Sequence, residues 1–231
     1  GLTHSIDGTL GETVLGRTIH RIFVTLIALL PRGLRVGAWR AVFDAQFSLS
    51  DDPWSYRDAP YEARKRDALV APDPDSTQTI VEMGCADGHN VKAIACCPPD
   101  ALVFGFDVQA SGGEARKQTR HLSNVRILHV DKDGGSTDLQ ELAPRIDVLV
   151  LANVLYYLGG PSSLSNALRP FRALLSDESL LIMLHDAADA GVLHRRAARM
   201  LDVPLTKSPL DDPERPFALA VACLPVPLEA V

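Results

Sequence analysis

Apolar residues follow two regimes along this chain. Before residue 50 they recur at helical spacing: Ile19, Phe23, Ile27 and Leu30 are interleaved with Arg17, Arg21, Arg32, Arg35 and Arg40. Such spacing predicts an amphipathic helical extension, either packed on the domain or offered to a partner or membrane surface. From Asp51 to Asp75 the chain is polar and proline-rich, with one helix expected over Tyr61–Val70. Beyond Thr79, short continuous apolar runs alternate with helical patterns. Strands are expected over Thr79–Glu82, Ala101–Phe106, Val125–Val130, Arg145–Ala152, Ser179–Leu184 and Phe217–Leu224. Helices are expected over Asn90–Cys97, Gly113–His121, Ser162–Leu175 and Ala188–Leu201. Strands that are apolar throughout are buried on both faces, and helices between them imply parallel crossovers. The pattern therefore predicts a Rossmann-like, doubly wound, mostly parallel α/β sheet over residues 61–231, with a helical extension or lid over residues 1–60.

Composition narrows the function. The formal net charge of -6 argues against a nucleic-acid backbone as ligand, because phosphate binding relies on clustered Lys and Arg. Ile22–Leu30 spans nine residues, includes Thr25 and is closed by Pro31. A membrane span needs about 20, so none is expected, and no small-residue cleavage site marks a signal peptide. Cys85, Cys96, Cys97 and Cys223 show no CxxC spacing. They suit no metal site and are expected as reduced, buried thiols, which favours the cytoplasm. Nothing in the sequence fixes an oligomeric state.

The chemistry concentrates after the first strand, in V81-E82-M83-G84-C85-A86-D87-G88. A glycine-rich strand-to-helix turn lets backbone approach a ligand and aims helix N–H groups at it. A dinucleotide fingerprint would need glycine at 84, 86 and 89, where the chain has Gly84, Ala86 and His89. An acidic-x-G-x-(G/A)-x-G pattern, the one used for S-adenosylmethionine (SAM), fits Glu82, Gly84, Ala86 and Gly88. Asp107 closes the second strand, where an acid can accept from ribose hydroxyls or serve as a turn residue. Asp131 closes the third, within reach of an adenine amino group or within a turn. The same glycine spacing disfavours a nicotinamide oxidoreductase.

The motifs D52-P53-W54, E82-M83-G84-C85-A86-D87-G88, F106-D107-V108 and L151-A152-N153-V154-L155-Y156-Y157-L158 resemble the class I SAM-dependent methyltransferases. Within that class the chain is similar to the NodS-like group, whose named member is a nodulation N-methyltransferase acting on a chitooligosaccharide amine. The resemblance spans roughly Asp51–Leu184. It implies the class I methyltransferase fold, SAM as cofactor, and a cofactor site drawn from Trp54, Glu82, Gly84, Cys85, Ala86, Gly88, Asp107, Val108, Asp131 and Asn153. It also implies methyl transfer to an amine or hydroxyl of a small molecule, with nitrogen preferred. The alternative is a SAM-binding scaffold without activity. Asn153 stands where the group usually has glutamate, and Ser176-Asp177-Glu178 replaces a Pro-Gly-Gly turn.

In doubly wound sheets substrates sit outside the carboxyl ends of the strands. Asn153, Tyr156 and Tyr157 follow the fourth strand there and His185 the fifth. His185 is the candidate base or acceptor-orienting group, with Asn153 and Tyr156 beside it; a capping or solvent-facing histidine is the bland alternative. Trp54, Tyr56 and Tyr61 are read either as a lid over the cofactor or as a staple between helix and sheet.

Overall fold

The computed structural model describes residues 14–49, 57, 60–70, 79–97, 100–107, 112–129, 145–158, 161–210 and 217–223. Trp54, Tyr56, Val108 and Asp131 lie outside the described residues.

The alternating runs form the elements expected of them. β1 (Thr79–Met83), β2 (Leu102–Asp107), β3 (Val125–His129), β4 (Ile146–Ala152) and β5 (Leu175–Asp186) are joined in the order β3-β2-β1-β4-β5, and every one of those pairings is parallel. β7 (Phe217–Cys223) pairs antiparallel with β5, and β6 (Thr206–Leu210) pairs antiparallel with β7 at the edge. β6 is absent from the sequence reading. Its T-K-S-P-L run lacks a strand's apolar signature, and Pro209 has no N–H to give, which an edge strand tolerates.

Side-chain alternation divides the core between the faces of the sheet. Leu149 and Leu151 of β4 meet α6 (Pro161–Arg172) and α7 (Ala187–Leu201) through Leu164, Leu168 and Leu201. Val148 and Val150 turn to the other face, toward α3 (Pro60–Val70) and α4 (His89–Ala95), through Leu69, Val91 and Ile94. α5 (Gly112–Thr119) lies beside α4 and β3.

Two expectations are corrected. Ser176–Glu178, read as a loop, belongs to β5: between paired positions Ile146/Leu175 and Val148/Leu180, β4 advances two residues and β5 five. The Ser179 hydroxyl donates to the Ile146 carbonyl at 2.6 Å and so satisfies a buried acceptor beside that bulge. Cys96 and Cys97, expected buried, are exposed because α4 ends at Ala95 and leaves them on its last turn; Cys85 is buried as expected. Of its two readings Tyr61 takes the staple between helix and sheet: it is buried, edge-on to Phe217 at 5.8 Å, under the Lys65 ammonium.

Residues before 50 form a helical hairpin, α1 (Val14–Ala28) and α2 (Arg32–Leu49). Arg35 donates to the Ala28 and Leu30 carbonyls and to the Ser163 hydroxyl of α6. A guanidinium at those carbonyls meets the negative end of α1 and ties the hairpin to the domain. Trp39, buried, packs on Phe43 and on Tyr157 just past β4.

Candidate active site

The strand order reverses between β2-β1 and β1-β4, and the crevice beyond the carboxyl ends of β1 and β4 is where such sheets hold ligands. The glycine turn lies at that crevice. Gly84 has φ 78° and Gly88 φ 88°, and Gly88 is the N-cap of α4. A Cβ on Gly84 would stand 2.6 Å from Val154 Cγ2, so glycine there lets the turn pack directly on the segment following β4. The Gly84 and Cys85 N–H groups donate to the Phe106 carbonyl at 2.7 and 3.0 Å, and Gly88 N–H donates to the Cys85 carbonyl. Cys85 thus spends its backbone on holding the turn. Its thiol is buried and pushed well above its ordinary range, first by burial and then by Asp107, so it stays protonated.

Three carboxyls gather around the turn. Asp107 accepts from the Ala86 N–H at 2.7 Å, which pins the turn to the end of β2. Ala86 adopts φ 46°, a left-handed conformation that costs an L-residue about 1–2 kcal/mol and that this charge-assisted bond helps to hold. Asp87, buried, accepts from the His89 N–H. Glu82 is fully buried. Its Oε1 accepts from Asn90 at 2.9 Å, while its Oε2 has no hydrogen-bond partner among the described residues. Burial above all pushes its carboxyl up to about 8, with Asp87 and Asp107 adding to the shift and the Asn90 bond opposing it.

Asn153 and Tyr156 come together at the ends of β4 and β5. Asn153 has φ 52°, a conformation asparagine tolerates better than most side chains, and its N–H donates to the Leu184 carbonyl at 2.9 Å. Tyr156 stands edge-on to Tyr157 at 4.4 Å and to His185 at 5.8 Å. His185 follows the apolar part of β5 as expected, but it is completely buried. The Leu155 N–H donates to its Nε2 at 3.2 Å, so that nitrogen carries no proton and Nδ1–H donates to Nε2 of His194 at 3.0 Å. Burial, then His194 and Lys65, hold His185 well below its ordinary pKa and keep it neutral. With both ring nitrogens engaged, it orients the Leu155–Tyr156 backbone and has no lone pair to offer an acceptor.

The sequence reading missed the partners of these groups. His194 contacts His185, and Lys65, paired at 2.8 Å with the buried Glu62 on α3, acts on its charge. The i, i+3 Glu–Lys spacing was a usable signal for the pair, whereas nothing local joins His185 to His194. Trp39 and Phe43 were likewise hidden, because their partner Tyr157 is more than a hundred residues away. The described residues include no cluster of His, Cys, Asp or Glu able to hold a metal, and none of their helices is long and apolar enough to cross a membrane.

A family model described as nodulation protein S (NodS) matches residues 44–193. Among solved structures, the chain is similar to N-methyltransferase NodS from Bradyrhizobium japonicum WM9 in complex with S-adenosyl-L-homocysteine. The identity there is 21%, over 81% of this chain and 98% of that one, with a TM-score of 0.63. It is also similar to 1,6-didemethyltoxoflavin-N1-methyltransferase from Burkholderia thailandensis, at 13% identity over 86% and 92% of the two chains and a TM-score of 0.65. An rRNA methylase from Streptococcus thermophilus matches at 18% identity over 74% and 99%, with a TM-score of 0.51. At these identities the likeness shows a shared fold. No curated protein sequence matches the chain.

Proposed function

The chain belongs to the nodulation protein S family, and from that premise we propose that it is a SAM-dependent methyltransferase acting on an amine of a small polar molecule. The observation that carries the reading is the glycine turn at the sheet's switch point, with a buried Glu82 oxygen lacking a partner beside it. Two of the similar structures contain S-adenosylhomocysteine. The residues here fit such a ligand. Gly84, Ala86 and Gly88 admit close backbone approach, Glu82 Oε2 is a buried polar atom with hydrogen-bonding capacity to spare, and Asp107 closes the next strand, where an acid can accept from ribose hydroxyls. Asp131, Val108 and Trp54 complete the proposed set from outside the described residues.

When bound, the cofactor supplies a methyl carbon already activated by a positive sulfur, so the protein's share is positioning and the exclusion of water. Asn153 can donate to and accept from an acceptor, and Tyr156 offers a ring and a hydroxyl at the same mouth. A hydroxyl acceptor needs a base, and His185, the histidine placed to serve, is committed to Leu155 and His194. A neutral amine needs none, which favours nitrogen over oxygen. The net charge of -6 favours a small molecule over a nucleic acid, although an rRNA methylase shares the fold.

The test is methyl transfer from labelled SAM across matched amino and hydroxy acceptors. Turnover confined to amines, with no loss attributable to a titrating histidine, supports the reading. Turnover confined to hydroxyls, falling as a group of pKa near 6.5 protonates, would refute it. SAM binding without turnover on any acceptor would make the chain a scaffold instead.

A further inference from the structure

The α1–α2 hairpin leaves its largest apolar side chains in solvent. Ile22, Phe23, Leu26 and Leu29 are 53%, 47%, 57% and 77% exposed, and Leu34 just beyond the turn is 61% exposed. The opposite side of α1 is where the helix meets the protein: Ile27 is buried, and Arg35 donates to the Ala28 carbonyl at the end of the helix and to that of Leu30 in the turn. The exposed stripe therefore sits on a helix fixed in place.

The spacing of that stripe is informative. In the sequence Leu15, Ile19, Ile22, Leu26 and Leu29 follow one another at intervals of four, three, four and three, the seam of a helix that packs along another helix. The heptad positions flanking the seam hold Gly16, Thr18, Phe23, Thr25 and Leu30, none of them charged. Two identical seams can therefore meet without like charges facing each other. Arg17 and Arg21 occupy heptad positions away from the seam, whereas a helix lying on anionic lipid carries its basic residues beside the apolar face. The NodS family match begins at residue 44, so α1 and most of α2 stand outside it.

We propose that the exposed face of α1 is a homodimer interface, occupied by the same face of a second copy of this chain. With about 100 Å² available on each of Ile22, Phe23, Leu26 and Leu29, two copies would bury roughly 800 Å², the size of a weak, reversible contact. A patch of about 400 Å² on each copy is within the range that is often functional on a monomer. Through Trp39–Tyr157 and Arg35–Ser163 the hairpin also braces the segment after β4, so pairing of α1 would buttress the wall of the candidate site.

Sedimentation equilibrium of the full chain tests this. A reversible dimer in the micromolar range is expected, and Leu26→Glu should weaken it at least tenfold while leaving secondary structure and SAM binding unchanged. In a Cys96→Ser, Cys97→Ser background, Ile22→Cys sits at the middle of the seam and should cross-link two copies whichever way the helices run. Val192→Cys, exposed on α7, should not. A monomer throughout that range, with no Ile22→Cys cross-link, overturns the proposal. So does a monomer that co-sediments with vesicles of equal parts phosphatidylcholine and phosphatidylserine, which would assign the face to lipid.

Discussion

Glu82 and His185 are both held neutral, for the same reason and with opposite consequences for pH. Burial lifts the Glu82 carboxyl from 4.5 to about 8, so between those values the folded chain keeps a proton that the unfolded chain has lost. Its contribution to stability is therefore lost as pH rises through that window. His185 sits below its ordinary 6.5, so the unfolded chain gains a proton first as the pH falls, and stability declines on that side. In ligand-free protein the melting temperature should fall from pH 6.5 to pH 8, and Glu82→Gln should flatten that slope while keeping the Asn90 bond. A Glu82→Gln slope equal to wild type would mean that Glu82 is not the group responsible. Gly84→Ala should cost about 2–4 kcal/mol, because it combines left-handed strain with overpacking against Val154. Adding Val154→Ala should recover the packing share alone, so by denaturant unfolding the double variant should cost less than the two single changes added together.

The elements show where sequence legibility ends. The five parallel strands and β7 were readable because apolar runs such as I-D-V-L-V-L-A leave no other way to bury both faces. The glycine turn was readable because glycine spacing is a local property. The β5 bulge, the β6 edge and the docking of α2 depend on partners far along the chain, and no local pattern encodes them. Trp39 is the clearest case, since its helix looks merely amphipathic until Tyr157 is brought beneath it. Trp39→Ala should destabilise the docked hairpin by about 3 kcal/mol at full burial. Limited proteolysis should then cut within residues 28–50 well before the sheet domain is touched. Cleavage no faster than in wild type would show the hairpin held by Arg35 and α1 instead.

Across the molecule the fold was legible almost completely, and so was the convergence of the residues proposed for the cofactor, whereas the proposed acceptor half was not. Glu82, Gly84, Ala86, Gly88 and Asp107 gather at one crevice, as their spacing along successive strands required. The acceptor half turned on His185, whose ring is spent on Leu155 and His194, a commitment visible only in three dimensions. A ligand bound only by the folded state stabilises it by about 2.7 kcal/mol at a hundred times its Kd. SAM should therefore raise the melting temperature by roughly 5–10 °C for a chain of this length, and NAD by nothing measurable. Binding of SAM across the turn between β1 and α4, against Asp107, is measured by titration calorimetry of SAM into wild type and Asp107→Ala. Saturable binding to wild type and at least tenfold weaker binding to a variant that remains folded are expected; equal affinity in both proteins, or none in either, would overturn the cofactor assignment.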